Sequence, residues 1–224
     1  MSMNKKITVL IVLTLAAVSL WQTTSSNAQE SSVIPPASNV ADEKQAAFKI
    51  EPEEPGYRNL DAALYMQSSA EYHAICLQTY QLATMRVESQ MKNRDDPRPA
   101  AVILDLDETV LNNGAFQSGQ IRMNAKFDNQ RWEDWEDNGS DEVTAIPGVE
   151  PFINKLIELK VQPIYITNRN ARAKFQTLSI LERLKIDVDG EYLLCADSKT
   201  GSNKTSRRAE VAAKFDIILL VGDN

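Results

Sequence analysis

The sequence predicts an α/β fold in which a parallel sheet is flanked by helices. Four short apolar segments, each typical of a buried strand, alternate with segments whose apolar residues recur at helical spacing. Strands and helices that alternate in this way are joined by crossover connections, which make neighbouring strands parallel. The predicted strands cover residues 101–104, 163–166, 191–194 and 217–221.

The N-terminal residues have the pattern of a secretory signal. A short basic region precedes an apolar run at 7–21, and small residues follow as far as Ala28. This arrangement predicts a signal peptide over residues 1–28, cleaved after Ala28. The apolar run is shorter than the roughly 20 residues that span a bilayer, which favours cleavage over a retained anchor. We therefore expect a periplasmic or secreted protein without a stable membrane anchor.

The rest of the chain has the length of one domain. Residues 29–55 are rich in Pro and Glu and are expected to form a flexible leader, followed by a single domain over 56–224. The formal net charge of −7 does not suit a partner that is a nucleic-acid polymer. Of the two readings of Cys76 and Cys195, free buried thiols are favoured over a disulfide. Nothing in the sequence indicates an oligomeric state.

Helices are expected on both sides of the first strand. Residues 59–93 contain no Gly or Pro and carry apolar residues at helical spacing, which predicts one or two helices. A polar insert at 114–145, with Trp132 and Trp135, is too irregular for the core and is interpreted as a small cap over the site. Further helices are predicted at 149–157, at 175–184 and from about residue 203.

Two carboxylates, Asp105 and Asp107, come directly after the first predicted strand. In open α/β sheets the ligand site lies outside the carboxyl ends of the strands, which is where these residues fall. Because the chain leaves the strand here, one carboxylate can face a metal ion while the other faces a leaving group. The structural alternative is a solvated acidic turn, but a buried strand does not need such a pair.

Several other chemistries are excluded by missing residues. His73 is the only histidine, so a Ser-His-Asp triad or a histidine-rich metal site would have to depend on it alone. Neither Cys76 nor Cys195 is followed six residues later by the Arg of a cysteine phosphatase, and no glycine-rich phosphate loop is present. Carboxylate nucleophilic catalysis on a phosphate ester remains.

The polar residues near the strand ends supply the parts that this chemistry needs. Asp105, the first carboxylate beyond the strand, is the predicted nucleophile, and Asp107 is the predicted general acid and base. A phosphate dianion beside carboxylates requires a divalent cation such as Mg²⁺, for which Asp223 offers another carboxylate. Thr167 and Lys204 fit the need for phosphate-binding donors, although each alone has the alternative of a helix cap or a solvated charge.

The residues from Ile103 to Asn113, Ile-Leu-Asp-Leu-Asp-Glu-Thr-Val-Leu-Asn-Asn, resemble a known motif. They are similar to the first motif of the haloacid dehalogenase (HAD) superfamily, in the form carried by class C non-specific acid phosphatases of secreted bacterial type. That family usually has Tyr where this chain has Phe116. Residues 67–80 are similar to the helical region before this motif, and 166–169 and 202–207 to the second and third motifs.

The resemblance implies a HAD-like Rossmannoid sheet and an acid phosphatase that uses Mg²⁺. Asp105, the main-chain carbonyl of Asp107, and Asp223 would bind the metal ion, while Thr167, Asn168 and Lys204 would bind phosphate. Phosphomonoesters, with nucleoside monophosphates among them, would be hydrolysed through an aspartyl-phosphate. The family would also continue beyond residue 224, so we expect the chain to be truncated there.

Three points remain open at the level of sequence. Trp132 and Trp135 are candidates to stack on a base or an aromatic leaving group, but packing between cap and core explains either Trp equally well. A phosphotransferase, which passes the phosphoryl group to an alcohol, would have the same residues. A non-catalytic binding or storage protein on the same scaffold is the third reading, against which the presence of Asp105 argues.

Overall fold

The computed structural model describes residues 9–11, 59–186, 188–197 and 201–222. The strands are β1 Val9–Ile11, β2 Ala100–Leu104, β3 Leu111–Asn112, β4 Thr144–Ala145, β5 Gln162–Asn170, β6 Leu193–Ala196 and β7 Asp216–Gly222. The helices are α1 Leu60–Ser68, α2 Ala70–Lys92, α3 Gly114–Arg122, α4 Asn129–Asn138, α5 Val149–Glu158, α6 Lys174–Arg183 and α7 Thr205–Lys214.

The main sheet is parallel, in the order β1-β7-β2-β5-β6. Its central strand β2 is buried at all five positions, as the uninterrupted apolar run predicted. Leu104 at the end of β2 is paired with Tyr165 of β5 on one side and with Val221 of β7 on the other. The residues that follow these three strands therefore meet at one edge of the sheet, and the predicted α/β class is confirmed.

Strand β1 lies inside the segment predicted to be a signal peptide. Its three residues pair with β7 at the outer edge of the sheet, from Val9 opposite Leu220 to Ile11 opposite Gly222. A chain from which residues 1–28 had been removed would keep the four strands β7, β2, β5 and β6. The signal peptide and the boundaries of leader and domain stay predictions.

Helices cover both faces of the sheet and bury its apolar side chains. On one face, residues of α2, α5 and α6 pack with Val102, Leu104 and Tyr165 in the larger core cluster. On the other face, Val211 of α7 packs with the smaller cluster around Ile103 and Ile164. The sheet is thus a middle layer between helices.

The segment 59–93 forms two helices, α1 and α2. Ser69 separates them and caps α2, because its hydroxyl oxygen accepts hydrogen bonds from the amides of Glu71 at 3.2 Å and Tyr72 at 3.3 Å. The buried face of α2 is the stripe Tyr72, Cys76, Tyr80, Ala83 and Val87. The apolar residues that suggested helical spacing lie on the exposed side instead: Leu60, Leu64, Ile75, Leu82 and Met85.

The insert at 114–145 is more regular than its sequence suggested. It contains α3 and α4, and the Asp128 side chain caps α4 by accepting from the Arg131 amide at 3.1 Å. The short strands β3 and β4 pair antiparallel and join the two ends of the insert to each other. The expected cap residues therefore form a small helical unit attached beside the loop that follows β2.

Two strands have bounds that differ from the predicted ones. Strand β5 continues to Asn170, four residues beyond its predicted end. Strand β6 begins at Leu193 because a 3-10 turn occupies Gly190–Tyr192.

Cys76 and Cys195 are both free thiols, which is the reading that the sequence favoured. Within the described residues, none of the helices combines the length and apolar character that crossing a membrane requires.

Candidate active site

The loop after β2 turns sharply and separates its two aspartates. The carbonyl of Leu106 accepts hydrogen bonds from three successive amides, those of Thr109, Val110 and Leu111. Glu108 has φ +55°, in the left-handed region that side chains other than glycine rarely adopt. Strain of this kind is found at functional loops, where the surrounding structure holds it in place.

Asp105 lies at the base of this loop, between β2 and β7. Its amide donates to the carbonyl of Val221 at 2.9 Å, which continues the pairing of the two strands. One carboxylate oxygen accepts from the Leu106 amide at 2.8 Å, and the other lies 2.5 Å from Nζ of Lys204. Burial raises the pKa of the Asp105 carboxyl, while the charge and hydrogen bond of Lys204 oppose that rise.

Asp107 is held by a different set of donors. Arg169 donates to it through Nε at 3.0 Å and Nη2 at 2.8 Å, and Asn113 donates through Nδ2 at 3.0 Å, all to Oδ1. Arg169 and Asn113 are fully buried, whereas the Asp107 side chain is 21% exposed. The carboxylate is therefore fixed from the protein side and accessible from the solvent side.

Thr167 and Asn168 lie in the extension of β5 beyond its pairing with β2. Thr167 is fully buried, and its hydroxyl oxygen accepts from the Arg169 amide at 3.1 Å. Its carbonyl accepts from the guanidinium of Arg207 at 2.5 Å, and the same guanidinium lies 3.4 Å from Oδ1 of Asn168. The side chain of Thr167 faces inward and that of Asn168 faces solvent, as alternation along a strand requires.

Lys204 enters the site from the start of α7. It occupies the N-cap position of that helix and is 6% exposed, so its ammonium is buried against Asp105. A buried ammonium needs a carboxylate partner, which excludes the alternative of a solvated surface lysine. The structure thus brings Asp105, Asp107, Thr167, Asn168 and Lys204 to the same edge of the sheet.

Asp223 lies outside the described residues, and no contact is assigned to it. Strand β7 ends at Gly222, the residue before it. His73 lies on the exposed side of α2.

Three buried residues of the site were not singled out from sequence. Asn113 and Arg169 hold Asp107, and Arg207 holds the main chain at Thr167 and also donates to the carbonyl of Leu194 at 3.2 Å. The available signal was Arg169 itself, a charged residue shortly after a predicted buried strand and two positions from Thr167, because a charge close to a buried strand needs a partner.

The two tryptophans of α4 pack against Phe116 of α3. The ring of Phe116 lies 5.1 Å from that of Trp132 and 5.7 Å from that of Trp135. The indole N–H of Trp132 donates to Glu136 at 3.0 Å, and that of Trp135 donates to Asn113 at 2.9 Å. Both side chains therefore contribute to packing within the cap or between cap and core, while stacking on a substrate stays a prediction.

The atoms that could coordinate a metal ion at this edge of the sheet are oxygens, which suit a hard divalent cation. They belong to the Asp105 carboxylate and to the main-chain carbonyl of Asp107. That carbonyl accepts no hydrogen bond from the described residues. Those residues contain no cluster of three or more His, Cys, Asp or Glu side chains that would hold a metal ion by itself. Any ion bound here would thus share its coordination with the substrate, water or residues outside the described part.

Comparison with known proteins agrees with this geometry. The chain matches the family model of HAD superfamily subfamily IIIB acid phosphatases over residues 19–224. It is similar to the class C acid phosphatase of Bacillus anthracis, with 29% identity and a TM-score of 0.69 over 75% of this chain and 69% of that one. A tungstate-bound structure of the same enzyme matches with 28% identity and a TM-score of 0.70 over the same shares.

Enzymes of this superfamily typically use a divalent metal ion. A sheet whose central strand ends in Asp105-Leu106-Asp107, with Lys204 against the first carboxylate, is what a phosphomonoester hydrolase of this type requires. The chain therefore belongs to the acid phosphatases of HAD subfamily IIIB.

Proposed function

We propose that this phosphatase is exported and requires Mg²⁺, and that it hydrolyses small phosphomonoesters, nucleoside monophosphates among them, through an aspartyl-phosphate on Asp105. The observation that supports this most is the contrast between the two aspartates. Asp105 is buried against Lys204, as suits a nucleophile shielded from water, and Asp107 is fixed by Arg169 with one side open, as suits a proton donor.

In the first half of the proposed reaction, a carboxylate oxygen of Asp105 attacks the phosphorus atom and the bond from phosphorus to the ester oxygen breaks. The leaving oxygen takes a proton from Asp107, which begins the step in its protonated form. Asp105 is then an acyl phosphate, and the alcohol is released.

In the second half, a water molecule attacks the phosphorus atom of the aspartyl-phosphate. Asp107, now ionised, takes a proton from that water, and the bond from phosphorus to the Asp105 oxygen breaks. Inorganic phosphate is released, and both carboxyl groups return to their starting states. One residue thus serves as acid and then as base, so its fixed position matters in both steps.

Negative charge on the transferred phosphoryl group needs fixed donors. Lys204 is positioned to neutralise charge on Asp105 and on phosphate, and the Thr167 hydroxyl with Asn168 supplies uncharged donors on the β5 side. Removal of one such donor costs on the order of 10²–10³ in rate in comparable sites. A bound Mg²⁺ ion would supply positive charge that offsets repulsion between the phosphate dianion and the carboxylates.

The proposed substrate class rests on the ligand of one relative and on the aromatic residues near this site. The Bacillus anthracis relative has been solved with tungstate, an oxyanion, and we infer that this site also accepts a compact oxyanion. The aromatic residues Phe116, Trp132 and Trp135 near Arg169 support leaving groups with a flat ring, nucleosides included.

The proposal is tested with p-nitrophenyl phosphate and a 5′-nucleotide. We expect phosphate release from both with Mg²⁺ and its loss in excess chelator, and we expect Asp105→Asn to be inactive although folded. Undiminished activity in chelator would exclude the cation, and an Asp105→Asn variant with a tenth of the wild-type rate would exclude this nucleophile. Glycerol in the assay distinguishes a phosphotransferase, because the phosphoryl group would appear on the alcohol.

Export rests on the N-terminal sequence pattern alone, from Lys5 and Lys6 to Ala28. The expected mature N-terminus is Gln29, which mass spectrometry of protein recovered from the periplasm or medium would identify. Recovery of the enzyme only from the cytoplasm with residues 1–28 attached would contradict export.

A further inference from the structure

Asn113 has an amide group whose orientation is determined by its neighbours. Its Oδ1 atom lies 2.9 Å from Nε1 of Trp135 and 3.2 Å from Nη2 of Arg169. Indole and guanidinium nitrogens only donate, so the atom between them must be the amide oxygen. The amide nitrogen must then face the opposite way, toward Asp107 at 3.0 Å and the Glu108 carboxylate at 3.3 Å.

The two oxygens of Asp107 have different surroundings as a result. Oδ1 accepts from Nδ2 of Asn113 and from Nε and Nη2 of Arg169, all within 3.0 Å. Among the described residues, the one donor within reach of Oδ2 is the Nε of Arg169, at 3.3 Å. An oxygen that faces three donors cannot itself carry a proton outward, because it would have to point that proton at other N–H groups. Oδ2 is therefore the oxygen on which the transferable proton resides.

We propose that Asn113 is the positioning residue for the general acid Asp107, and that Trp135 in the cap helix α4 holds Asn113 in the orientation this requires. The inference rests on the proposed function, in which Asp107 protonates the leaving group. The side chain of Asn113 is hydrogen-bonded to Asp107 and not to Asp105, so it acts through Asp107. The cap thereby has a role in the proton transfer as well as in covering the site.

Loss of this positioning should slow the reaction by an amount that depends on the leaving group. A misdirected Asp107 should reduce the rate of the first transfer only slightly for p-nitrophenyl phosphate, whose phenolate is a good leaving group. It should reduce the rate much more for phenyl phosphate, whose phenolate is a poor leaving group. General acid catalysis contributes about 10²–10⁴ in rate, so its partial loss should be visible in that comparison. The parameter to compare is kcat/KM, because it reports the steps up to the first transfer and excludes hydrolysis of the aspartyl-phosphate.

Trp135→Phe is the main variant, because it removes the indole N–H and keeps an aromatic ring against Phe116. We expect the ratio of kcat/KM for p-nitrophenyl phosphate to that for phenyl phosphate to rise about tenfold. Asn113→Ala should raise it at least as much. If Asn113→Ala fails to fold, Trp135→Phe still decides the question, since Trp135 is only partly buried.

Arg172→Gln is the matched control. Arg172 binds Asp137 of the same helix α4 at 2.5 Å and has no contact with Asn113, so its loss loosens the cap without removing a donor to the amide. The ratio of kcat/KM for p-nitrophenyl phosphate to that for phenyl phosphate should be the same in Arg172→Gln as in the wild type. A ratio unchanged in Trp135→Phe and Asn113→Ala, or raised equally in Arg172→Gln, would overturn the positioning role.

A separate measurement, turnover by the Asp105→Asn variant, tests the proposed function. Turnover by Asp105→Asn would show that the nucleophile is wrong whatever the ratios are. An inactive Asp105→Asn together with unchanged ratios would overturn the role of Asn113 alone.

Discussion

At the scale of single residues, the site depends on how buried charges are paired. Asp105 and Lys204 are both largely buried, with 11% and 5% of their side chains exposed. Each charge alone would be costly to remove from water, and the contact between them makes both tolerable. The pair is therefore sensitive to the loss of either partner, whereas exposed ion pairs contribute little.

Lys204→Met should reduce kcat/KM by about 10²–10³, because it removes a fixed positive charge from the transferred phosphoryl group. It should also raise the pKa of Asp105 further, since burial already raises it and Lys204 opposes the rise. A carboxyl with a raised pKa binds its proton more tightly when folded, so stability falls as pH rises from the free value of about 3.9 through the folded value.

The loss of stability in metal-free Lys204→Met, measured by urea unfolding, should thus be larger near pH 7 than near pH 4. Lys214→Met on the same helix is the control, because Lys214 is exposed and lies 3.8 Å from Glu210. It should differ from the wild type by no more than about 0.5 kcal/mol at either pH. Equal losses for Lys204→Met at both pH values would contradict the buried pair.

Glu136 is a second buried carboxylate, in the cap. One oxygen accepts from the indole of Trp132 at 3.0 Å, and the other lies 3.6 Å from Arg172 without a hydrogen bond from the described residues. Burial raises the pKa of Glu136, while Arg169, Trp132 and Arg172 oppose the rise. The folded state therefore favours its protonated form, and ionisation costs stability as pH rises from about 4.3.

Glu136→Gln should stabilise the protein near pH 7 by roughly 1 kcal/mol, because it removes the buried charge and keeps an acceptor for Trp132. The gain should disappear near pH 4, where the wild-type carboxyl is protonated as well. Unfolding midpoints at the two pH values test this. Glu133→Gln, a more exposed neighbour that also lies 3.6 Å from Arg172, is the control, and a similar gain there would argue against burial as the cause.

Which site residues could be predicted follows from how each is marked in the sequence. Asp105 and Asp107 could be predicted because they follow a fully apolar strand. Thr167 and Lys204 could be assigned to the site because they lie in motifs that follow the Asp105 motif in the expected order. Asn113, Arg169 and Arg207 act through contacts that span from 6 to 62 positions along the chain. No local pattern specifies the contacts of Arg169 and Arg207, since these exist only after β5 and α7 have packed into the fold. The contact of Asn113 depends on how the loop after β2 turns.

At the scale of elements, periodicity identified the helices better than it identified their buried faces. In α2 the buried stripe includes Tyr72, Tyr80 and the small residues Cys76 and Ala83, while larger aliphatic residues such as Leu82 and Met85 are exposed. Close packing of α2 on the sheet favours the small residues. The predicted end of β5 was too early for a related reason. Arg169 is a charged residue, which is unusual in a buried strand, but its side chain is buried in an ion pair with Asp107.

The start of α5 is fixed by a glycine that contacts α2. Gly148 has φ +92°, and a Cβ there would lie 3.2 Å from Cβ of Tyr80. Tyr80 cannot easily move, because its hydroxyl donates to the carbonyl of Thr109 at 2.5 Å and its ring packs on Phe152. This contact joins α2, α5 and the loop of the active site.

Gly148→Ala should lower the free energy of unfolding by more than about 1 kcal/mol, since both the backbone angle and the space oppose a side chain. Gly119→Ala is the matched comparison: Gly119 lies inside α3, and a Cβ there would meet no atom of the described residues within 4 Å outside the backbone of its own helix. Alanine is the better helix former, so this variant should be more stable by about 0.5–1 kcal/mol. Urea unfolding of the two variants should show shifts of opposite sign, and equal shifts would contradict the contact with Tyr80.

At the scale of the whole molecule, the site exists because the sheet aligns segments that are distant in sequence. Asp105 follows β2, Thr167 extends β5 and Lys204 begins α7, and the parallel register places all three at one edge. The fold class and this edge could be predicted, because both follow from alternation of strands and helices. The position of the cap on that edge could not be predicted from the sequence, because the contacts of the cap depend on how the rings of Phe116, Trp132 and Trp135 pack.

Collecting carboxylates in a chain of net charge −7 creates repulsion that a bound cation would relieve. A ligand that binds only the folded state raises the free energy of unfolding by RT ln(1 + [L]/Kd), or about 2.7 kcal/mol at 100 times Kd. Saturating Mg²⁺ should therefore raise the thermal unfolding midpoint of the wild type, a measurement that requires no substrate. NaCl at equal ionic strength shows how much of the rise is general screening.

Asp105→Asn should lose most of the shift caused by Mg²⁺, because the amide keeps the shape of the side chain and removes its charge. Asp61→Asn, which removes an exposed carboxylate in the first turn of α1, should keep the wild-type shift. Asn in place of Asp105 also removes the carboxylate charge beside Lys204, so each variant must be compared with itself in chelator. A Mg²⁺ shift of the same size in Asp105→Asn as in the wild type would place the cation elsewhere on the acidic surface, away from the end of β2.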